Sequence, residues 1–463
     1  MYLGLTQSGL TLGEAARFCG GELFGAQESA RFFAYSTDSR KIAGGELFFA
    51  LSGERFDAHA FVPDVIAAGA LCAVVSKPQA ENIPHILVRD TRAALGALAR
   101  NYYARFGALT VGVTGSVGKT TTKEFIAAVL AEKYETAKTQ GNFNNEIGLP
   151  MTLLAFEAPK NALVAEMGMS ARGEISRLTR IARPDIAVIT NIGSSHLENL
   201  GTRENIAAAK LEIAEGLSAG GLLIVNGDEP LLSGAKSIFE NTLFVSLLDK
   251  SCDYFAYNIK ESAGFTSFCY SSPRCPDECV KIPTAGRHNV YNALTAIAVG
   301  EAAGLSAEEI RAGLLAFTGA AMRAEAKKRG DVTVVEDCYN ASPESMRASL
   351  DVLAGDAYGT GRKIAFLGEM RELGKDSAKM HFGVGKYAAE KGIDILFTFG
   401  AGAEEIARGA ESAGMRAESI FRIADAENAD AAAEKLKETL KKGDIILFKA
   451  SRALKLERVS AKI

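Results

Sequence analysis

The residues with the clearest chemical meaning follow a short apolar strand that ends near position 114. They form a glycine-rich turn with the sequence Gly-Ser-Val-Gly-Lys-Thr-Thr-Thr over 115–122, and this turn opens a helix. Its glycines, together with Gly112, would let backbone N–H groups turn inward, which suits a polyphosphate at a helix N-terminus. Lys119 would reach the terminal phosphates and Thr120 would bind Mg²⁺. The turn therefore predicts a nucleoside triphosphate site.

The match to the phosphate-loop pattern G-x-x-x-x-G-K-[ST] is incomplete. That pattern places its first glycine where this chain has Val113, so Gly112 stands one residue early. An ordinary glycine-rich turn with a surface lysine is the alternative. Apolar residues at helical spacing over 125–130, after an apolar strand, favour the phosphate site.

Polar side chains also follow two other apolar runs. Glu166 ends the run at 161–168, while Asn191 and His196 lie at or just beyond the end of the run at 186–193. Ligands of parallel sheets gather at the carboxyl ends of the strands, so we expect all three to converge on the glycine turn. A second Mg²⁺ would explain Glu166 and His196, because neither is cheaply buried alone. A structural role is the alternative for a lone histidine.

The elements that must position these residues alternate between strands and helices. Helices are predicted at 174–181 and 203–217, between strands that are apolar on both faces, which indicates a mostly parallel sheet covered by helices. Residues 230–285 predict an antiparallel insertion. A helix then begins near His288, with Asn292 further along it.

Three α/β domains are predicted, with boundaries at 1–90, 91–321 and 322–463. The first is a small module of short strands, in which 36–40 carries hydroxyls and a guanidinium that could meet an anion, although a capped turn is the commoner alternative. The second holds the phosphate loop. The third reads as a doubly wound, Rossmann-like sheet without a phosphate loop, and a boundary beside a nucleotide domain suggests a closing cleft.

Composition narrows the possible functions. The 463 residues carry a formal net charge of -4 without a basic run, so nucleic acid is not an expected partner. No apolar run reaches the ~18 residues of a membrane span, and the first residues do not resemble a signal peptide, so we expect a cytoplasmic protein. Four of the seven cysteines, at 252, 269, 275 and 279, form no C-x-x-C pair, so we expect reduced thiols rather than a zinc site.

The segments 114–120, 208–213 and 288–293, with Glu166, His196 and Arg323, together resemble the Mur ligases, the ATP-dependent amino-acid ligases of peptidoglycan synthesis. The early glycine is the form of the loop that this family uses. Segments 139–150, 336–343 and 366–374 resemble the member that adds D-alanyl-D-alanine to the UDP-muramoyl tripeptide. The motifs occur in the expected order over nearly the whole chain. Ser342 is a departure, because that member more usually has Asn there.

The resemblance implies roles for particular residues. The catalytic group would be Lys119, Lys210, Glu166 and His196, with Lys210 carried as a carbamate. Of two Mg²⁺ ions, Thr120 would bind the first, and Glu166, His196 and Lys210 the second. ATP would be bound by Gly115, Ser116, Val117, Gly118, Lys119, Thr120, Thr121, Asn145, Asn292, Arg323, Asp337, Tyr339 and Asn340. In that set Asn292 would touch the adenine, Arg323 the phosphates and Asp337 the ribose, while Ser39 and Arg40 would hold the UDP part of the substrate.

The implied reaction is amide synthesis in two steps. ATP phosphorylates the terminal carboxylate of the UDP-linked tripeptide, and the amine of D-alanyl-D-alanine displaces phosphate from the acyl phosphate. The expected protein is a monomer that inserts into no membrane. Three alternatives stay open: the ligase that adds the third residue, which should carry an Asp-Asn-Pro-Arg type motif that is absent here; a folylpolyglutamate synthase, which should lack the 36–40 group; and a nucleotide-driven switch.

Overall fold

Short strands with buried aromatic and β-branched residues build the first of three large sheets in this computed structural model, which describes residues 3–4, 9–53, 56–262 and 264–463. The strands are β1 (Leu3–Gly4), β2 (Leu10–Thr11), β3 (Glu22–Phe24), β4 (Arg31–Phe32), β5 (Ala34–Ser36), β6 (Leu47–Phe49), β7 (Cys72–Val75) and β8 (His85–Leu87), and the helices are α1 (Leu12–Cys19) and α2 (Val62–Ala67). The sheet order is β1-β5-β6-β7-β8-β3, and its four central strands are parallel. Strands β2 and β4 form a separate antiparallel pair.

The second sheet is the largest and carries the glycine turn. Its strands are β9 (Leu109–Thr114), β10 (Thr136–Lys138), β11 (Ala162–Glu166), β12 (Ile186–Ile189), β13 (Leu222–Asn226), β14 (Thr242–Ser246), β15 (Tyr254–Ser262), β16 (Phe265–Ser271) and β17 (Glu278–Ile282). They lie in the order β10-β11-β9-β12-β13-β14-β15-β16-β17. Strands β10 to β15 run parallel, and β16 and β17 add an antiparallel hairpin at one edge.

Helices cover both faces of this sheet. They are α3 (Thr91–Tyr103), α4 (Lys119–Leu130), α5 (Gly148–Leu154), α6 (Glu174–Ala182), α7 (Leu197–Leu200), α8 (Arg203–Leu211), α9 (Ala235–Ile238), α10 (Arg287–Ala302) and α11 (Ala307–Leu315). Helices α4 and α10 pack on one face. Helix α3 packs against α5 and α6 on the other and also against α1, so one apolar core joins the first two regions.

The third sheet has the order β18-β19-β23-β20-β21-β22, with β18 antiparallel to five parallel strands. Its strands are β18 (Glu325–Arg329), β19 (Val332–Glu336), β20 (Lys363–Gly368), β21 (Ile395–Phe399), β22 (Ile420–Ile423) and β23 (Ile445–Lys449), and its helices are α12 (Pro343–Ala354), α13 (Ser377–Glu390), α14 (Glu404–Ser412), α15 (Ala429–Thr439) and α16 (Glu457–Ser460). The predicted three-domain α/β class is confirmed. The exact domain boundaries stay a prediction.

Two expectations about residues 230–285 need correction. β14 lies parallel to β13, and β15 lies parallel to β14, so the segment continues the main sheet before the antiparallel hairpin begins. Cys269 and Cys279 face each other on β16 and β17 with Cα atoms 3.9 Å apart and form a disulfide, so the expectation of reduced thiols is wrong for this pair. Cross-strand pairing brings them together, and their sequence spacing gave no sign of it. Within the ranges given above, no helix has the length and apolar character needed to cross a bilayer.

Candidate active site

The turn between β9 and α4 has a backbone that requires glycine. Gly115 has φ 150° and Gly118 has φ 83°, values that residues with side chains rarely adopt. A Cβ on Gly115 would lie 1.8 Å from Thr190 Oγ1, so no side chain fits there. Gly112, in contrast, lies inside β9 and packs against Met167. The prediction that Gly112 shapes the turn is therefore wrong.

Backbone amides at the turn divide into two groups. Ser116 and Val117 donate their N–H groups to the backbone oxygen and to Oδ1 of Asn191, at 3.1 and 2.9 Å. Asn191 thus converges on the loop as expected, but it occupies two of the donors. The N–H groups of Lys119, Thr120 and Thr121 belong to the first turn of α4, where a helix offers no backbone acceptor. An anion at this helix N-terminus would meet those donors.

Lys119 is half-buried at the start of α4. Its Nζ donates to the backbone oxygens of Gly115 at 2.6 Å and Ser116 at 3.3 Å. Burial lowers the pKa of Lys119, and the nearby Arg323 guanidinium lowers it further, against the opposing effect of the Glu166 carboxylate. A phosphate would be a stronger acceptor for this ammonium than the loop's own carbonyl groups.

Glu166 lies beside Thr120, as the order of the parallel strands predicts. Its Oε2 accepts from Thr120 Oγ1 at 2.7 Å, and its Oε1 accepts from Asn144 Nδ2 at 2.9 Å. The Glu166 backbone N–H donates to Thr139 Oγ1 at 3.0 Å, which fixes the end of β11. The carboxylate is buried, and with the Thr120 hydroxyl it forms an oxygen pair of the kind that Mg²⁺ prefers.

Lys210 on α8 is 1% exposed. Across the described ranges its ammonium has neither a hydrogen bond nor an ion pair, so nothing there offsets the cost of burying its charge. Burial, reinforced by the charge of Lys119, holds the pKa of Lys210 well below its ordinary value. A lowered pKa favours the neutral amine, which is the form that adds to CO₂ to give a carbamate.

His196 contacts the third region. Its Nδ1 lies 2.5 Å from Glu372 Oε2, and its backbone has φ 64° where it precedes α7. The adjacent Glu198 N–H donates to the Glu372 backbone oxygen at 3.1 Å. Among the described contacts, none joins His196 to Glu166, so the structure does not pair these two residues directly. The His196 imidazole pairs with the Glu372 carboxylate instead. This interaction lowers the pKa of Glu372.

Residues of the third region reach the glycine turn from the opposite side. The Arg323 guanidinium stacks 4.4 Å from the Tyr339 ring centroid, and its charge is felt by Lys119. Glu344, in the first turn of α12, accepts from the backbone N–H and the hydroxyl of Ser194 at 2.9 and 2.7 Å. The two regions therefore already touch across the expected nucleotide site.

Asn292 and Asp337 lie on the two sides of the boundary between the second and third regions. Asn292 Oδ1 accepts from Thr122 Oγ1 at 2.9 Å, and a Cβ on Gly118 would lie 3.0 Å from that oxygen, so Asn292 borders the turn. Asp337 Oδ2 accepts from Lys449 Nζ at 2.5 Å and from Ser349 Oγ at 2.6 Å.

Four other candidate residues have local roles. Asn145 Oδ1 caps the start of α5, and Asn340 Oδ1 accepts from the next backbone N–H at 2.9 Å. Ser39 and Arg40 form a short 3₁₀ turn capped by Asp38, and the Arg40 guanidinium is paired with that carboxylate at 2.8 Å. The described contacts do not bring Ser39 or Arg40 to the glycine turn.

Three residues at the site escaped the sequence analysis. Thr190 donates to the Val117 backbone oxygen at 2.5 Å, Asn144 fixes Glu166, and Glu344 meets Ser194. Thr190 directly precedes Asn191, so the rule for strand ends could have found it. Asn144 lies in the motif at 139–150 without a signal of its own. Glu344 comes from another domain, and the sequence gives no signal for such a contact.

Comparison with known proteins covers each region. Family models match in three places: the Mur ligase family catalytic domain at residues 34–103, the Mur ligase middle domain at 113–300, and the Mur ligase glutamate ligase domain at 322–452. The chain is 43% identical to the UDP-N-acetylmuramoyl-tripeptide–D-alanyl-D-alanine ligase of Bacillus subtilis, over 82% of this chain and 81% of that one.

Solved structures agree with those matches. The chain is similar to MurF from Acinetobacter baumannii, with a TM-score of 0.89 and 32% identity over 99% of this chain and 98% of that one. It is also similar to the MurF ligase of Thermotoga maritima in complex with ADP, with a TM-score of 0.83 and 31% identity over 92% and 96% of the two chains.

Proposed function

Because the chain belongs to the Mur ligase family, we propose that it joins D-alanyl-D-alanine to the terminal carboxylate of UDP-N-acetylmuramoyl-tripeptide, using one ATP. The observation that carries the proposal is the meeting of Lys119, Thr120 and Glu166 at the carboxyl ends of β9 and β11, with the buried amine of Lys210 close enough for its pKa to respond to the charge of Lys119. The ADP complex of a similar MurF ligase agrees with ATP as the phosphate donor.

The chemistry needs ATP because a carboxylate is a poor electrophile. A carboxylate oxygen of the tripeptide attacks the γ-phosphorus, ADP leaves, and an acyl phosphate forms. The amine of D-alanyl-D-alanine then attacks the acyl carbon, phosphate leaves with that oxygen, and the nitrogen loses a proton. Lys119 neutralises charge on the transferring phosphoryl group, and the amides at the start of α4 orient it. The third domain closes over the site and keeps water from the acyl phosphate.

Two magnesium sites fit the donors at the carboxyl edge. Thr120 would hold the first ion, and Glu166, His196 and a Lys210 carbamate the second. When bound, Mg²⁺ offsets the negative charge of the phosphates. The 2.7 Å pairing of the Thr120 hydroxyl with Glu166 supplies oxygen ligands, and Lys210 is a buried amine suited to becoming a carbamate. His196 would exchange Glu372 for the metal.

The remaining assignments are part of the same proposal. Asn292 borders the turn and would contact adenine, while Arg323 would contact the phosphates and Asp337 the ribose. Tyr339 holds Arg323 by stacking, which supports its place in the ATP site. Ser39 and Arg40 would bind the UDP part of the substrate. We propose that the enzyme acts in the cytoplasm, where its nucleotide-linked substrates are soluble, and that it is a monomer.

A phosphate-release assay tests the proposal. Purified protein with Mg²⁺ and ATP should release phosphate when both UDP-tripeptide and D-alanyl-D-alanine are present, with one peptide product per phosphate. Leaving out either substrate should abolish steady release. Release that is unchanged without D-alanyl-D-alanine would contradict the ligase function and favour a nucleotide-driven switch.

A further inference from the structure

A cleft rich in arginine runs between α3 and α6, where the first region meets the second. It encloses about 760 Å³ and is lined by five arginines and two carboxylates, an excess of three positive charges. The arginines are Arg89, Arg92, Arg100, Arg177 and Arg180. Such a charge excess favours an anionic ligand, because the cavity walls screen these charges less than bulk water does.

Both carboxylates that line this cleft already have partners within the protein. Asp90 caps α3 by accepting from two backbone N–H groups, at 2.7 and 3.0 Å. Arg180 pairs with Glu215 at 2.9 Å, outside this cleft. Over the part of the chain that the structure describes, Arg89 and Arg100 have no carboxylate partner. The remaining carboxylate, Glu146, is shared between two guanidinium groups.

The two partners of Glu146 come from different helices. Arg177 on α6 contacts Glu146 Oε1 through its Nε, and an Nη of Arg92 on α3 lies 3.7 Å from Glu146 Oε2. Arg92 also donates to the Ser52 backbone oxygen at 3.4 Å, so it reaches from the second region to the first. This triad, Arg92–Glu146–Arg177, presents one acceptor between two cationic donors.

A short stretch of chain connects the triad to the reacting groups. Glu146 follows Asn144 by two residues, and Asn144 holds Glu166 at 2.9 Å. Glu166 in turn contacts Thr120 at the glycine turn. A peptide whose terminal carboxylate points toward Lys119 would meet Glu146 and its guanidinium partners if its last side chain extended past Asn144 into this cleft.

We propose that this triad recognises the third residue of the tripeptide, and that this side chain ends in an ammonium and a carboxylate on the same carbon. The ammonium pairs with Glu146, and the carboxylate pairs with the guanidinium groups of Arg92 and Arg177. A lysine at that position could satisfy Glu146 but would leave both guanidinium groups without a ligand anion. The inference rests on the proposed ligase function and specifies its substrate.

Steady-state kinetics with two UDP-tripeptides test the inference. One carries 2,6-diaminopimelate at the third position and the other carries lysine, with saturating ATP and D-alanyl-D-alanine. The wild-type enzyme should favour the diaminopimelate substrate in kcat/KM by roughly tenfold or more, as expected for a lost charge-assisted hydrogen bond. The variant Arg177→Gln should reduce that preference at least fivefold, mainly through KM for the UDP-tripeptide, with the KM for ATP unchanged.

A matched variant on the same helix separates recognition from general charge. Arg180→Gln removes the same charge one turn along α6, where the guanidinium faces Glu215, and should keep the preference within twofold of wild type. Glu146→Gln should weaken both substrates, because both present an ammonium. Equal use of the two tripeptides by the wild type, or equal loss of preference in both arginine variants, would overturn the inference. In either case, dependence of phosphate release on D-alanyl-D-alanine would leave the ligase function standing.

Discussion

Buried lysines stand near the carboxyl ends of parallel strands in both the second and the third domain, but their surroundings differ. Lys449 ends β23 and is 3% exposed, and its ammonium pairs with Asp337 at 2.5 Å. Lys210 is 1% exposed and Lys119 is half-buried, yet no carboxylate lies within hydrogen-bond distance of either among the described residues. A buried charge is tolerated only when something compensates it.

This difference indicates at which sheet edge a ligand would supply the counter-charge of the lysine. In the third domain the protein supplies the counter-charge, so Lys449 and Asp337 stabilise the fold together. In the second domain a phosphate for Lys119 and CO₂ for Lys210 would supply what the protein does not. Removing a lysine should therefore cost activity at one edge and stability at the other.

Lys119→Ala should show the largest effect on activity. We expect kcat/KM for ligation to fall by about 10³, because the variant loses the cation that neutralises the transferring phosphoryl group. The melting temperature should stay within a few degrees of wild type, since Lys119 bonds only loop carbonyl groups. Coupled phosphate release and a thermal melt measure both quantities. Activity within tenfold of wild type would refute the role of Lys119.

Lys210→Ala should be the next most severe change. We expect a loss of roughly 10²- to 10³-fold, partly restored by millimolar formate or acetate, because a small carboxylate can occupy the space and charge of a carbamate. Wild-type enzyme exchanged into ¹³C-bicarbonate should show a carbamate carbon by NMR that the variant lacks.

Lys123 provides the control for Lys210. It is 2% exposed, but its Nζ donates to the Thr139 backbone oxygen at 2.7 Å and lies 3.1 Å from Glu124, so its charge is already compensated. Lys123→Ala should respond to neither carboxylic acid. Full activity of Lys210→Ala, or equal rescue of both variants, would show that ligation does not depend on a carbamate at Lys210.

Lys449→Ala should instead lower the stability of the third domain. Breaking its pair leaves the Asp337 carboxylate largely buried with Ser349 as its remaining side-chain donor, at a cost of about 3 kcal/mol. Urea unfolding followed by circular dichroism would measure this loss. The double variant with Asp337→Asn should recover part of the stability, because no unpaired carboxylate remains. A stable Lys449→Ala would contradict the contrast between the two sheet edges.

Site residues could be predicted from the sequence where a local motif or the end of a parallel strand determines their position. Lys119 and Thr120 follow from the glycine turn, and Glu166 and Asn191 follow from the rule that strand ends meet at one edge. Contacts between domains could not be predicted, because nothing in the sequence orients one domain against another. The His196–Glu372 and Ser194–Glu344 contacts are of that kind, and the Cys269–Cys279 pair depends on the register of a hairpin.

A smaller effect, on the pH dependence of stability, is expected from a histidine outside the site. His381 is 1% exposed, its Nε2 accepts from the Met370 N–H at 2.9 Å, and its Nδ1 lies 2.8 Å from the Ser377 backbone oxygen. That pattern fits the neutral ring with its proton on Nδ1. Burial lowers the pKa of His381, although the Ser377 carbonyl and the charges of Glu369 and Glu405 oppose the shift.

The sign of the resulting pH dependence follows from which state binds the proton. Below about pH 6.5 the unfolded chain takes up a proton at His381 that the folded protein resists, so the stabilisation present above that pH is lost as the pH falls toward the folded pKa. We expect less stability at pH 5.5 than at pH 7.5 from this group. His381→Gln keeps an acceptor for Met370 but cannot titrate, so urea unfolding of this variant should show a smaller loss over the same interval. Equal losses in the two proteins would assign the pH dependence to other groups and leave His381 as a packing residue.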